Sequence, residues 1–329
     1  MELILTNHSS YPRIGDGTDH QLLRRTIAQW EKGEKTDADL RAAEDRMTEL
    51  ALGDQIVAGL EIVTDGQIRW YDTISHLAGK LQGIRINGLL RFFDTNTYFR
   101  QPVVHGAIER TKPLLVGDFE FAKGKSSQPV KPVLTGPVTL ARHSIEENGK
   151  AGSFERLVES YTAALTPEVA ALAAAGAGLI QIDEPSLLKY SADLPQAARS
   201  LKAFGAAKGS SQLMLAVYFG DATPVYDKLQ ALPVDALCLD FTYSAGLAEK
   251  VAASGSAKPL ALGLVDGRNT RLEDTRTVAG QLEKIGRCLG SARAWLSPSC
   301  GFEYLPRDRA QLKLRHLRTI RREFLGSAE

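Results

Sequence analysis

Cysteine is scarce in this chain, and net charge is almost absent. Three cysteines, Cys238, Cys288 and Cys300, give an odd count without paired spacing, which argues against a disulfide framework and for a reducing compartment. Forty Lys and Arg against 39 Asp and Glu leave a formal charge of +1. That balance removes the case for nucleic acid or an acidic membrane surface, because both need clustered basic residues. No apolar run approaches the roughly 20 residues of a membrane span, and "MELILTNHSSYP" lacks a basic region followed by an apolar one. The expectation is a cytoplasmic protein acting on small molecules, without nucleic-acid or membrane partners. Histidine is sparse too: no two of the six stand two or four apart, and no His-x-Cys occurs. The usual short metal motifs are therefore missing.

What the chain does have is material for a large core, with 43% hydrophobic residues in 329. Eight short apolar or β-branched runs alternate with longer helical patterns, the signature of βα units around a parallel sheet. The runs are 3–9, 60–66, 132–137, 179–185, 213–221, 236–241, 260–267 and 294–300. Helical periodicity covers 38–58, 154–175, 194–207, 224–231, 272–289 and 307–325, with Pro195, Pro224 and Pro306 near first turns. The expected fold is α/β, a (β/α)8 TIM barrel, as one domain over 1–329. Residues 83–130 break the rhythm and are predicted to be a β-rich insertion before the third strand, ending in a Gly/Ser/Lys loop at 124–128.

Nearly every strand run ends in groups too polar for a packed core. These are His8–Ser10, Asp65–Gln67, Asp183–Glu184, Gly220–Asp221, Asp240, Asp266–Asn269 and Ser297–Cys300. In a parallel barrel the C-terminal strand ends form one rim, so these residues are expected to share one mouth. Asp, Ser and Asn after a strand also cap the next helix, and any single one of them has that bland reading. In "LIQIDEP" Gln181 and Asp183 alternate with Ile180 and Ile182, so both face the same side of the strand. If that side lines the barrel, Asp183 points into the mouth, where its carboxylate could hold an ammonium group; Glu184 could cap a helix or bond a neighbouring strand. Asp65 is a second acid, with Arg69, Trp70 and Tyr71 after it, a mixture suited to a zwitterionic or flat conjugated ligand. Arg268 could hold phosphate or carboxylate, or stand in a solvated loop. His8 and His105 fall where a mouth would be. Cys300 reads as a small apolar group in a tight turn, a relic of a metal site, or a nucleophile.

"YPRIG" (11–15), "FDTN" (93–96), "LTGPVTL" (134–140), "LIQIDEP", "VYFGD" (217–221), "LVDGRN" (264–269) and "SPSCG" (297–301), in this order, resemble the cobalamin-independent methionine synthases. The resemblance covers about residues 8–320 and implies methyl transfer to homocysteine from a methylated folate. Full-length members are double barrels, and only one barrel fits here. "VYFGD", "VDGRN" and the "FDTN" insertion look like the zinc-free N-terminal half, whereas "TDGQIR" and the helix at 38–58 resemble short single-barrel archaeal enzymes of the catalytic type. The catalytic half binds zinc through His-x-Cys, Glu and Cys. At the matching positions this chain has Ala216, Tyr218, Asp240 and Cys300. Only Asp240 and Cys300 could serve, so no metal is expected and zinc is doubtful as a cofactor. Arg13 carries over from a segment associated with folate binding.

If homocysteine is the substrate, the resemblance implies that Asp183 receives its ammonium as the key catalytic-site acid, that Ser10 and Gln67 contact its carboxylate, and that the donor lies across Trp70 and Tyr71. Tyr218 could donate a hydrogen bond, and Asp65, Glu184, Asp221, Asp266 and Arg268 complete the expected binding rim. Three readings stay open: a methyltransferase acting alone or with a separately encoded zinc-bearing barrel or a second copy of itself; a folate-binding partner subunit without chemistry; and a metal-free enzyme acting on another sulfur compound.

Overall fold

The computed structural model describes residues 2–147, 152–289 and 293–326. Seven strands run parallel, in the order Glu2–Leu5, Arg293–Pro298, Leu260–Val265, Ala236–Asp240, Gln212–Val217, Leu179–Asp183 and Val133–Thr135. Residues 61–66 join the two edges. Thr6 bridges Ile62, Ser10 bridges Gly66, and Val63 bridges Val130. Backbone bonds from Glu61 N to Leu5 O (3.0 Å) and from Lys131 N to Val63 O (2.8 Å) carry the ring round. All eight expected strand runs thus take the expected neighbours, the second as bridges only.

Two apolar layers hold this ring. Inside it pack Leu179, Met214, Ala216, Ala236, Cys238, Ala261 and Trp295, with Ile4 and Ile62 against them. Outside it, the alternate strand residues meet the helices in one continuous core, the arrangement a parallel sheet buried on both faces requires. Five of the expected helices are found at Asp37–Val57, Phe154–Ala174, Leu194–Ala207, Thr275–Gly286 and Arg307–Leu325, and the sixth begins as a short 3₁₀ turn before Tyr226–Gln230. Their starts are chemically marked. Thr36 and Asp39 form a reciprocal capping box, and Ser153 and Asp274 cap their helices through backbone N–H groups. No described helix is long and apolar enough to cross a membrane.

The insertion differs in part from expectation. Its β portion is a hairpin, Gln82–Arg91 with Tyr98–Glu109, extended by Ile145–Glu146. Residues Val116–Lys125 form a helix that takes up Gly124 and Lys125 of the expected loop. Glu168, fully buried on the helix Phe154–Ala174, fastens the end of the hairpin. It accepts bonds from Arg110 Nε (2.6 Å), Leu114 N (2.9 Å) and Leu115 N (2.6 Å). His105, expected near the mouth, is instead exposed on this hairpin.

Glu184 illustrates how the strand ends are tied down. Its carboxylate accepts from Val138 N (2.9 Å) and Thr139 N (2.7 Å), closing the start of the helix Pro137–His143. Gly136 is required there, since a Cβ would stand 2.2 Å from that carboxyl group. The expectation that Glu184 binds substrate is therefore corrected to helix capping from a neighbouring unit, a use that engages both oxygens. Glu184→Gln should lower unfolding stability by about 1.5–3 kcal/mol, the range for a hydrogen bond to a charged group. Urea unfolding checks this, and an unchanged midpoint and slope would remove the capping role.

Candidate functional site

Asp183 ends the fourth barrel strand and points inward, where it is 3% exposed. Gln181, two residues back on the same face, donates Nε2 to Asp183 Oδ1 (2.7 Å), and Tyr218 donates its hydroxyl to Oδ2 (3.1 Å). Behind them lies Lys131, which sequence reasoning missed. It is 1% exposed, and its Nζ donates to Gln181 Oε1 (2.5 Å) and Asn7 O (3.1 Å). A lysine just before an apolar run looks like a surface residue, and nothing local marks it otherwise. Burial pushes Asp183 up to about 6, with Gln181 and Lys131 opposing that rise. Burial brings Lys131 down to about 8. Such shifts cluster at functional sites because burial and charge are arranged there together.

A small cavity, about 60 Å³, opens beneath the insertion hairpin; Asp183 is not in its lining but stands close enough for its charge to act on Glu303, which is. Five expected site residues line it, namely Ser10, Arg13, Gln67, Trp70 and Tyr71, together with Tyr11, Asp72, Phe92, Thr97, Glu303 and Tyr304 among others. Typical ligand sites measure several hundred Å³, so the hairpin tip must shift to admit a substrate of amino-acid size or more. The tip is held by rings. Phe92 meets Phe219 at 6.1 Å and His143 at 5.4 Å, and Phe219 meets Tyr304 at 5.9 Å. Among the described residues three non-glycine residues adopt positive φ, and all three lie here: Gln67 (51°), Phe93 (50°) and Phe219 (64°). That backbone cost is tolerated where surroundings over-determine the conformation.

Other polar atoms reach this space without partners. Ser10 Oγ, Gln67 Oε1, Trp70 Nε1 and Glu303 Oε2, in its lining, are buried and accept or donate nothing within the described structure, and His8 Nε2, outside that lining, is likewise unpartnered. His8 is held by Ser9 through Nδ1 (2.9 Å) and packs edge-on to Tyr218 at 4.9 Å. Arg13 fixes itself by donating Nε to Ile68 O (2.8 Å) and lies 5.1 Å over the ring of Tyr71, with Arg100 4.9 Å from the same ring. Two cations at an exposed ring form a positive lip to the cavity.

The rest of the expected rim disperses. Asp65 lines a separate small cavity with Lys131, Pro132 and Phe119, divided from the first by Trp70, and caps its own turn through Gln67 N (2.9 Å). Burial pushes it up to about 6. Asp221 is exposed and accepts from Thr223 N (2.9 Å). Asp266 holds Arg268 Nε (3.0 Å) and Asn269 Nδ2 (2.6 Å), so Arg268 is paired at the rim beside an outer groove. The physical reason is the one that competed from the start. A carboxylate one residue past a strand finds turn N–H groups sooner than it finds the barrel axis. Glu303 was missed because it lies two residues beyond the "SPSCG" turn, outside any strand run.

A family model described as the catalytic domain of cobalamin-independent synthase matches residues 6–323. The chain belongs to this family. Methionine synthases from Saccharolobus solfataricus and Sulfurisphaera tokodaii are each 30% identical to it, over 93% of this chain and 90% and 87% of theirs. Its fold is also that of a B12-independent methionine synthase from a Shewanella strain, in complex with selenomethionine, at a TM-score of 0.79 and 20% identity over 99% of both chains. A putative vitamin-B12 independent methionine synthase from Listeria monocytogenes gives 0.77 and 17%, over 99% of this chain and all of the other. The features that resemble the N-terminal half therefore sit in a chain that matches the catalytic one. Cobalamin-independent synthases of this catalytic type are methyltransferases, and the chain is methionine-synthase-like in that sense.

The donor set for the family's zinc does not fit here. Ala216 packs in the barrel interior, and the Tyr218 hydroxyl is given to Asp183. Asp240 Oδ1 accepts three bonds from Thr242 and Tyr243, leaving Oδ2 alone without a partner. Cys300 is fully buried, and burial together with Asp240 and Glu303 holds its thiol well above the usual range. One protonated thiol and one carboxylate oxygen do not make a tetrahedral nitrogen and sulfur site. Among the described residues no group of three His, Cys, Asp or Glu could hold a metal. Cys238, in the barrel interior, is likewise pushed up to about 12.

Proposed function

We propose that this chain works as one barrel domain in the cytoplasm and transfers a methyl group from a methylated folate to the sulfur of homocysteine. The observation that carries this reading is a buried carboxylate, Asp183, oriented by two donors and coupled by its charge to Glu303 in the wall of a cavity that Trp70 and Tyr71 also line. In it, Asp183 takes the substrate ammonium, Ser10 and Gln67 offer polar atoms to its carboxylate, and the donor's flat ring lies against Trp70 and Tyr71. Arg13 and Arg100 at the lip suit the donor's carboxylates. Tyr218 stays in place as the second donor to Asp183.

A second reading is favoured by Ala216 and Tyr218 standing where the family has two zinc ligands: the chain binds substrate and a separately encoded zinc-bearing barrel performs the transfer. One experiment separates the two. Purified protein is stripped of metal, reloaded with zinc and measured by elemental analysis. Methyl transfer from 5-methyltetrahydrofolate to L-homocysteine is then followed alone and with a zinc-bearing relative. Zinc well below one per chain with activity alone is the expected result. Activity only in the mixture transfers the chemistry to the partner, and a tightly held stoichiometric ion overturns the metal-free site.

A further inference from the structure

The mouth holds one acid that neither the sequence motifs nor the family's zinc chemistry accounts for. Glu303 follows the eighth strand. Although its side chain is half-buried overall, Oε2 itself is out of solvent and makes no hydrogen bond of good geometry among the described residues, with the Tyr304 hydroxyl as a nearby donor. The absence of a side chain at Gly301 lets this oxygen and Ser10 come together against the backbone. A Cβ on Gly301 would lie 2.2 Å from Glu303 Oε2 and 1.9 Å from Ser10 Oγ, which also lacks a partner. Both residues line the cavity with Gln67 and Trp70. An unpartnered carboxylate oxygen beside the expected substrate-carboxylate contacts is placed to touch the remainder of the same small molecule.

The chemistry needs such a group. A free thiol has a pKa of about 8.5 and is mostly protonated at neutral pH. Here the zinc donors that would hold it as thiolate are replaced by Ala216 and Tyr218. We propose that Glu303 is a catalytic residue, the general base that takes the proton from the acceptor thiol as its sulfur attacks the methyl carbon. This rests on the methyl-transfer reading above. The S–H bond breaks with its proton passing to Glu303 Oε2, and the sulfur pair forms the new S–C bond. The C–N bond to the methylated amine of the donor breaks, its pair staying on nitrogen. The proton then moves from Glu303 to that nitrogen, which leaves as a secondary amine, and the carboxylate is restored.

The surroundings suit a base that works near neutrality. Asp183 and Tyr218 from the fourth and fifth strand ends, Tyr304 beside it, Cys300, Arg13 and Asp72 across the cavity, and Arg91, Asp94 and Arg268 along the outer groove that Glu303 also lines are ionisable groups around it. Burial, with the charge of Asp183, pushes Glu303 up to about 7, while the Tyr304 hydroxyl opposes the shift. Bases are most effective with a pKa close to the working pH. His8 Nε2 is the competing candidate, but burial and Lys131 hold its pKa well below the usual histidine value, which makes it a poor proton acceptor.

The test compares wild type, Glu303→Gln and Glu303→Asp, using L-homocysteine for calorimetry and 5-methyltetrahydrofolate for turnover. Glu303→Gln should bind homocysteine within about threefold of wild type while kcat falls by about 10²–10⁴-fold, the usual contribution of a positioned base. Its residual rate should climb with pH up to about 8.5, following the free thiol, where the wild-type rate levels off above about 7. Glu303→Asp should keep that levelling-off at a lower kcat. A Glu303→Gln enzyme with wild-type kcat and pH profile overturns the assignment and leaves the methyl-transfer reading intact. Wild-type protein that neither binds homocysteine nor turns over overturns both. Should Glu303→Gln fail to fold by near-ultraviolet circular dichroism, an unchanged kcat in Glu303→Asp decides against the base.

Discussion

Asp183→Asn should weaken L-homocysteine binding by at least about 2 kcal/mol, roughly thirtyfold, and by as much as 5 kcal/mol, because it removes one partner of a buried charge pair. Asn matches the shape of Asp and can still accept from Gln181 Nε2 while its own amide donates to the Tyr218 hydroxyl, so the loss is one of charge rather than of packing. The pH dependence gives a second reading of the same residue. Asp183 must be ionised to hold an ammonium group, and its pKa is about 6. Wild-type affinity should therefore fall as pH drops through about 6, and the affinity of Asp183→Asn should stay flat across that range. Stability runs the other way. The folded protein holds this proton more tightly than the unfolded chain, where the ordinary value is 3.8. The stability linked to Asp183 is thus present at low pH and lost as pH rises through about 6. At pH 8 the Asn variant should be as stable as wild type or more so, while binding far less. Calorimetry and urea unfolding at pH 5.5 and 8 measure both effects; unchanged affinity at pH 8 would remove Asp183 from the binding site.

This opposition of binding and stability also explains which parts of the molecule could be read from its sequence. Strands and long helices declare themselves through repeating patterns that many residues share, so Leu179–Asp183 and Phe154–Ala174 emerged with ends shifted by only a residue or two. The helices Leu22–Glu31, Val116–Lys125, Pro137–His143 and Leu247–Ser254 did not. They are short, one carries two interior glycines, Gly117 and Gly124, and one begins inside the apolar run that marks a strand. Asp183 was legible because period-two alternation alone puts it on the face of Gln181. Glu184 carried the right alternative, a helix cap, without a way to choose it. Asp65, Asp221 and Asp266 are chemically the same as Asp183 on paper. Only the turn N–H groups and the guanidinium within reach decide that they face elsewhere. Glu303 and Lys131 had no local signature, since what matters about each is a partner, or the lack of one, far away in sequence, 50 residues for Lys131 and Gln181.

Lys131→Met should separate positioning from packing. Among the described residues Lys131 is the only cation bonded to Gln181, and that bond to Oε1 decides which way the amide points and hence that Nε2 faces Asp183. With Met at 131, Gln181 can turn its amide over, and Asp183 loses both a fixed donor and a nearby positive charge. Both changes disfavour the carboxylate, so Asp183 should titrate at a pKa above 6 rather than at it. If the rise is about one pKa unit, the expected result is a roughly twofold loss of homocysteine affinity at pH 7 that deepens to about tenfold at pH 5, with recovery as pH rises to about 8.5, where wild-type Lys131 is itself losing its proton. Unfolding stability should change little or rise, because a buried amine without a carboxylate in direct contact is costly to desolvate and Met fills nearly the same volume. Lys131→Ala, which leaves a cavity, should lose stability by about 2 kcal/mol or more. A Met variant that binds with the wild-type pH profile would show that Asp183 orients without help from the barrel interior, and one that unfolds would make Lys131 a structural residue.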